Sequence, residues 1–302
     1  MTGRPLLAGI ELGGTKCVCL VGTGPGDIRD RVSIPTGSDP RVTLGRLAEE
    51  LHRAVAAHGP VAALGIASFG PIELSPDSPA FGSITTTTKP GWSHSIVASR
   101  LAEALGVPVG FDTDVNGAAL AEARWGAARG LADLAYVTVG TGIGVGLIVN
   151  NRPVHGFLHP ELGHIRIARR SGDDWRGACV FHGDCVEGLA SGTALGARTG
   201  MPAHAIPPDH AVWEHVAYAL SQLLHTVVLG SAPRRILLGG GVMQGRPELF
   251  GPIRRQLAAS LNGYPAHALL GDDLAQYVVP PGLGELAGPL GGLALALERL
   301  ER

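Results

Sequence analysis

Apolar residues recur along this chain with two periods, and the way the periods alternate predicts an α/β protein. Continuous apolar runs mark buried strands at Leu6-Leu-Ala-Gly-Ile10, Cys17-Val-Cys-Leu-Val21, Val61-Ala-Ala-Leu-Gly-Ile66, Val107-Pro-Val-Gly-Phe111, Ala135-Tyr-Val-Thr-Val139 and Val145-Gly-Leu-Ile-Val149. Val42, Leu44, Leu47, Leu51 and Val55 return at helical spacing. So do Ile96, Val97, Leu101 and Leu105, behind a Ser93 placed to cap that helix. A helix is expected from Gly117 to Ala128 and another from Leu189 to Arg198. A longer one buries Val212, Val216, Leu220, Leu223, Leu224, Val227 and Val228. Arg235 to Met243 reads as a buried strand ending in a glycine turn, Tyr277-Val-Val-Pro as a late strand, and the closing helix, which reaches Leu300, as packing back on the first lobe.

Two strand pairs enclose glycine turns of similar design: Glu11-Leu-Gly-Gly-Thr-Lys16 and Gly140-Thr-Gly-Ile-Gly144. Glycine lets backbone N–H groups approach an anion, and Thr15 and Lys16 add donors and charge. Neither turn is a P-loop or a dinucleotide fingerprint, because the residues after Gly14 are Thr-Lys and a strand follows each turn where a helix is required. A plain tight hairpin is the alternative for either one. Taken together the two copies imply a duplicated fold that grips a triphosphate. Asp112-Thr-Asp114 lies at the carboxyl end of a strand, where open α/β sheets meet their ligands. One of these acids is expected to cap the following helix; that task is assigned to Asp112, which leaves Asp114 free.

Cys179-x2-His182-x2-Cys185 puts three soft ligands on one short loop, and His164 returns as a fourth. That set suits tetrahedral zinc with every position filled by protein, a structural staple instead of a catalytic metal. Two free thiols and two solvated histidines are the rival reading. Glu161 and Glu187 flank the ligands, so a staple would also fix two acids as the wall of a site for a polyhydroxylated substrate.

Lys and Arg number 24 against 26 Asp and Glu, which leaves no electrostatic footprint for nucleic acid or an anionic membrane. Arg166, Arg169 and Arg170 read as a solvated strand end. The 45 glycines sit inside apolar segments and mark close backbone approach, not disorder. No run reads as a signal peptide or membrane helix, and the cysteines read as reduced, so a cytoplasmic protein is expected.

Glu11-Leu-Gly-Gly-Thr-Lys16, Thr113-Asp114-Val-Asn116-Gly-Ala-Ala, Gly140-Thr-Gly-Ile-Gly144, His159-Pro-Glu-Leu-Gly-His164, Cys179-x2-His182-x2-Cys185 and Leu238-Gly-Gly-Gly-Val-Met243 together resemble, in order and across nearly the whole chain, the motif series of the ROK sugar kinases. The bacterial fructokinase branch is the nearest. The resemblance implies an α/β actin-like ATPase (ribonuclease H-like) fold of two lobes with a cleft between them. It implies lobes at 1–115 with about 286–302, and at 116–285 with a zinc-binding loop at 164–185, usually in a homodimer. It implies that ATP and Mg2+ phosphorylate a free hexose. By position, Asp114 resembles the catalytic base, and Gly70, Thr113, Glu161, His164 and Glu187 resemble sugar contacts, with His164 also a zinc ligand. Gly13, Gly14, Thr15, Lys16, Thr141 and Gly142 resemble the phosphate hairpins, and Gly239, Gly240 and Gly241 the adenosine motif.

Glu11 and Thr113 depart from the Asp and Asn of many glucokinases in the family, which favours fructose, while the uniform Thr85 to Thr88 segment departs from the fructokinase branch. Mannose, glucose and N-acetylmannosamine remain rivals. A sugar-sensing repressor of the same fold would need a helix-turn-helix ahead of a hairpin that already begins by Leu6, and a zinc hydrolase would need an open metal position.

Overall fold

The computed structural model describes residues 4–264 and 274–301. The chain divides into two compact units: Met1–Arg129 with Pro153–His159 and Gly282–Arg302, and Gly130–Arg152 with Pro160–Pro281. Where the sequence places the boundary at 115, the first unit runs on to Arg129, because the helix that begins at Asp114 packs against the C-terminal helix Ala287–Glu301.

The first unit is built on strands β1 (Leu7–Leu12), β2 (Lys16–Gly24), β3 (Asp27–Pro35), β4 (Leu64–Ser68) and β5 (Val109–Thr113), in the sheet order β3-β2-β1-β4-β5. The first three are antiparallel neighbours, and β1, β4 and β5 run parallel. One face buries Ile10, Leu12, Cys17 and Cys19 with Leu44, Leu47 and Leu51 of helix α1 (Pro40–His58) and Leu101 of α2 (Ala98–Leu105). On the other face Gly9, Gly65 and Gly110 stand in register across three strands. A Cβ on Gly9 would lie 2.7 Å from Leu293 N, and one on Gly65 or Gly110 would strike the carbonyl oxygens of Gly292 or Leu295. The glycine row is what lets the backbone of the C-terminal helix rest on the sheet. Helix α3 (Asp114–Trp125) joins it, with the Gly117 and Gly291 backbones in contact.

The second unit repeats the plan. Strands β6 (Leu134–Val139) and β7 (Ile143–Val149) form an antiparallel hairpin, β8 (Arg152–Pro153) lies at the edge, and β9 (Ile236–Gly239) and β10 (Val278–Val279) continue in parallel. The order is β10-β9-β6-β7-β8. Helices α4 (Val186–Ala190), α5 (Gly192–Thr199), α6 (Val212–Ser231), α7 (Gly241–Gly245) and α8 (Phe250–Leu261) complete it. The apolar side read from the sequence for α6 is its buried side.

Several local expectations give way. Ser93 does not cap α2: its hydroxyl bonds Thr87, and the helix starts after Val97 with Ile96 exposed. The expected 189–198 helix is two helices meeting at Ser191, which caps the second. The strand ending at Met243 stops at Gly239, where the chain turns into α7. Arg166, Arg169 and Arg170 lie on no strand; Arg169 binds Asp173 and Asp184, and Arg170 binds Glu214. No described helix is long and apolar enough to cross a membrane.

Candidate active site

In the first unit the turn Gly13–Lys16 is held from below by one buried residue, Thr36. Its N–H donates to Thr15 O (2.9 Å), its hydroxyl donates to Gly13 O (2.7 Å) and contacts Cys17 Sγ, and its carbonyl accepts from Lys89 Nζ (2.9 Å). A Cβ on Gly13 would meet Lys16 O at 2.7 Å, whereas Gly14 has open space around it. Gly14, Thr15 and Lys16 are exposed, so the tip of the turn is available to an anion while its base is pinned.

Asp114 opens α3. The cap is Thr113, not Asp112: Thr113 Oγ1 accepts the Asn116 N–H at 3.1 Å. Asp112 still belongs to β5, and its buried carboxylate accepts from the Thr113 N–H (2.7 Å) and Asn116 Nδ2 (2.8 Å) and stands 3.0 Å from His155 Nε2. Asp114 is half-buried, with Oδ1 accepting the Val115 N–H at 2.9 Å. Burial pushes its carboxyl up to about 6, against the pull of the Val115 and Asp114 N–H groups. Glu11, at the end of β1, is pushed up to about 7 by burial and then by the Asp114 charge, with Lys16 and Arg31 opposing. Its carboxylate lies against Gly288, where a Cβ would collide with it, in the first turn of the C-terminal helix. Two carboxyls poised near neutrality beside a pinned glycine turn suit proton transfer. Gly70 lies beside the ring of His159, whose Nε2 accepts the Ile72 N–H at 3.0 Å.

In the second unit His164 Nδ1, Cys179 Sγ, His182 Nδ1 and Cys185 Sγ all lie within 4.8 Å of one another. The S···N separations are 3.6, 3.7 and 3.6 Å and the N···N separation is 3.3 Å. Zn–S bonds of about 2.3 Å and Zn–N bonds of about 2.0–2.1 Å give tetrahedral edges of about 3.6 Å and about 3.3 Å. The donors are therefore already spaced for a tetrahedral cation. Backbone bonds between Cys179 and Gly183 close the hairpin that carries two of them, Cys179 and His182, and Cys185 caps α4.

Glu187, two residues beyond Cys185, places Oε1 3.9 Å from His164 Nε2 and accepts the Ile143 N–H on Oε2 at 3.0 Å. Thr141 and Gly142 form the turn just before Ile143; the start of α5 takes the Gly140 and Thr141 carbonyls, and the Gly142 carbonyl accepts the Gly140 N–H. Glu161 leads into the one-turn helix Leu162–His164. Gly239 and Gly240 pass against Tyr136, Pro281 and Val139, and Gly241 is exposed.

The first unit thus brings together Gly13, Gly14, Thr15, Lys16, Thr113 and Asp114, with Gly70 on the loop after β4. The second unit gathers Thr141, Gly142, His164, Glu187 and the two cysteines, with Glu161 beside His164 and Gly239–Gly241 at the end of β9. Sequence reasoning missed Glu11, Thr36, Asp112 and His155 as parts of the site. Glu11 carried a local signal, a carboxylate placed directly before a glycine turn, and so did Asp112, a strand-end acid given a capping task instead; Thr36 and His155 carried none.

A sequence model of the ROK family matches residues 7–299. The chain belongs to the ROK family. This ROK protein is 43% identical over 296 residues to a fructokinase of Pediococcus pentosaceus, covering 98% of this chain and 99% of that one. It is 41% identical over 292 residues to a fructokinase of Zymomonas mobilis, covering 95% of each. A ROK hexokinase from Thermus thermophilus superposes with a TM-score of 0.78 at 28% identity, covering 98% of this chain and 99% of that one. The α/β, actin-like (ribonuclease H-like) fold class expected from the motifs holds for this member of the family.

Proposed function

We propose that this ROK protein is an ATP-dependent fructokinase that transfers the γ-phosphoryl group of ATP to the 6-hydroxyl of D-fructose. The observation that carries the reading is Asp114, a half-buried carboxyl raised to about 6 at the carboxyl end of a parallel strand, in a chain similar over its whole length to fructokinases. Phosphoryl transfer asks the protein mainly to align a hydroxyl and offset charge. Asp114 accepts the proton of the attacking hydroxyl as it becomes nucleophilic. Glu161, His164 and Glu187, with Gly70 and Thr113, hold and orient the sugar. Gly13–Lys16 and Thr141–Gly142 receive the phosphates, and Gly239–Gly241 the adenosine.

Glu11 is a hard oxygen donor beside the first turn, a fit for Mg2+, which when bound offsets phosphate charge. The spacing of His164, Cys179, His182 and Cys185 fits Zn2+, which would brace the loop and leave the chemistry to the side chains. Four free cysteines support a reducing, cytoplasmic setting, and the family resemblance supports a homodimer.

An ATP-coupled assay over fructose, mannose, glucose and N-acetylmannosamine tests the reading. Fructose is expected to give the highest kcat/KM, and Asp114→Asn is expected to lower kcat by about 10²–10⁴-fold with the fold intact. Near-normal turnover by that variant removes Asp114 from its role, and preference for another hexose removes fructose.

A further inference from the structure

The second glycine turn is held in place from three directions, and one of the holders is a carboxylate. The start of α5 takes its carbonyls: Gly192 N–H donates to Gly140 O (2.7 Å), and Thr193 donates to Thr141 O through its N–H (3.3 Å) and its hydroxyl (2.8 Å). Gly163 closes on the first residue of β7, since a Cβ there would collide with Ile143 O. Glu187 Oε2 takes the N–H of that same residue at 3.0 Å. A Cβ on Gly142 would lie 2.5 Å from Glu187 Oε2, so the carboxylate fills the space that any side chain at 142 would need.

Glu187 is in turn set by the loop that carries the four soft ligands. It sits in the first turn of α4, whose cap is Cys185, with Cys185 Sγ accepting the Gly188 N–H at 3.4 Å. His164, with Nδ1 among the ligand atoms, places Nε2 3.9 Å from Glu187 Oε1.

We infer that Glu187 is a positioning residue for the Gly140–Gly144 turn: by holding the Ile143 N–H it fixes the peptides meant to meet a nucleotide's phosphates. The inference rests on the kinase reading above and adds to Glu187 a task separate from touching sugar. Backbone donors cradle phosphate well only when their orientation is settled beforehand, because binding must otherwise supply the ordering. Removing the acceptor frees the Ile143 peptide. Adding a methyl at Gly142 pushes the carboxylate away from it.

The test is calorimetric titration of a non-hydrolysable ATP analogue into the full-length protein without sugar, where a pure sugar contact has no effect. Glu187→Ala is expected to weaken nucleotide binding by about tenfold and Gly142→Ala by about fivefold. Glu187→Gln keeps an oxygen for the Ile143 N–H and is expected to stay within about twofold of wild type while its KM for fructose rises. Metal content and melting temperature certify each variant. Gly142→Ala leaves every metal ligand in place and carries the test if Glu187→Ala loses its metal. Wild-type nucleotide affinity in both alanine variants overturns the inference, as does a Gln variant as weak as the Ala one. If the wild-type protein binds no nucleotide, both this inference and the kinase reading fall.

Discussion

Asp112 Oδ2 and His155 Nε2 stand 3.0 Å apart, the carboxylate almost fully buried and the imidazole half-exposed. The pair ties the segment carrying His155 to the strand end that presents Thr113 and Asp114. The same carboxylate accepts from Asn116 Nδ2 and the Thr113 N–H, so it serves three donors at the corner where β5 becomes α3. Asp112→Ala strands the two buried donors and is expected to cost about 2–4 kcal/mol in urea unfolding. His155→Ala leaves the carboxylate with both remaining donors and should cost about 1 kcal/mol or less. Equal losses for the two variants would show that the corner does not depend on Asp112 in this way.

Asp114 gives a pH dependence of defined sign. As a base it must be ionised, so kcat/KM is expected to fall as pH drops through about 6. Stability runs the other way. The folded state holds the proton more tightly than the unfolded chain, so stability is highest below the unfolded value of 3.8 and declines as pH rises toward 6. Glu11 adds the same trend between 4.5 and about 7. Asp114→Asn keeps the acceptor for the Val115 N–H and removes the charge. It should therefore be more stable than wild type above pH 7, by on the order of 1–3 kcal/mol, with the difference closing near pH 4. Unfolding curves for both proteins across that range check it, and a constant difference at every pH would contradict it.

What the sequence made legible was local. The two glycine turns, the ligand spacing Cys179, His182 and Cys185, and the buried stripe of α6 are each set by residues close together in the chain, and the structure has them where the patterns put them. Strand β3 escaped notice because it is an edge strand whose residues alternate between exposed and half-buried, with Ile34 its one fully buried position. Ile96 and Val97 suggested a helix two residues too early, since period alone cannot tell a helical face from a loop that buries one of two neighbours. The glycine row Gly9, Gly65 and Gly110 was countable as composition, but its register belongs to strand pairing. Asp112 with His155, and Glu11 with Asp114, are partners made only by the fold.

The ligand cluster predicts a closed metal site. One equivalent of zinc per chain is expected by mass spectrometry, lost in Cys179→Ser and His182→Ala and retained in Cys17→Ala, whose sulfur lies in the first unit's core. Because the hairpin Cys179–Gly183 and the cap of α4 share these residues, chelation should lower the melting temperature by about 5 °C or more. A protein that melts identically with and without chelator, or that carries no zinc, would leave the four side chains without that task.

Neighbouring glycines at the end of β9 separate fold from binding. Gly240 has φ +89°, and a Cβ there would lie 2.5 Å from both N and O of Val139. Strain and collision act on rigid backbone, so Gly240→Ala is expected to lose at least about 2–4 kcal/mol of stability. Gly241, the next residue, opens α7, and a methyl group added there would have nothing within 4 Å. Gly241→Ala therefore keeps the fold and gains slightly from alanine's helix preference, by about 1 kcal/mol at most. On the proposed reading adenosine packs against this turn, so an added methyl there would stand in its way. The expected result is a normal or raised melting temperature, an ATP KM raised about threefold or more, and an unchanged KM for fructose. A Gly241→Ala enzyme with wild-type ATP affinity would move the adenosine away from this turn, while a stable Gly240→Ala protein would show that Val139 yields where the packing says it cannot.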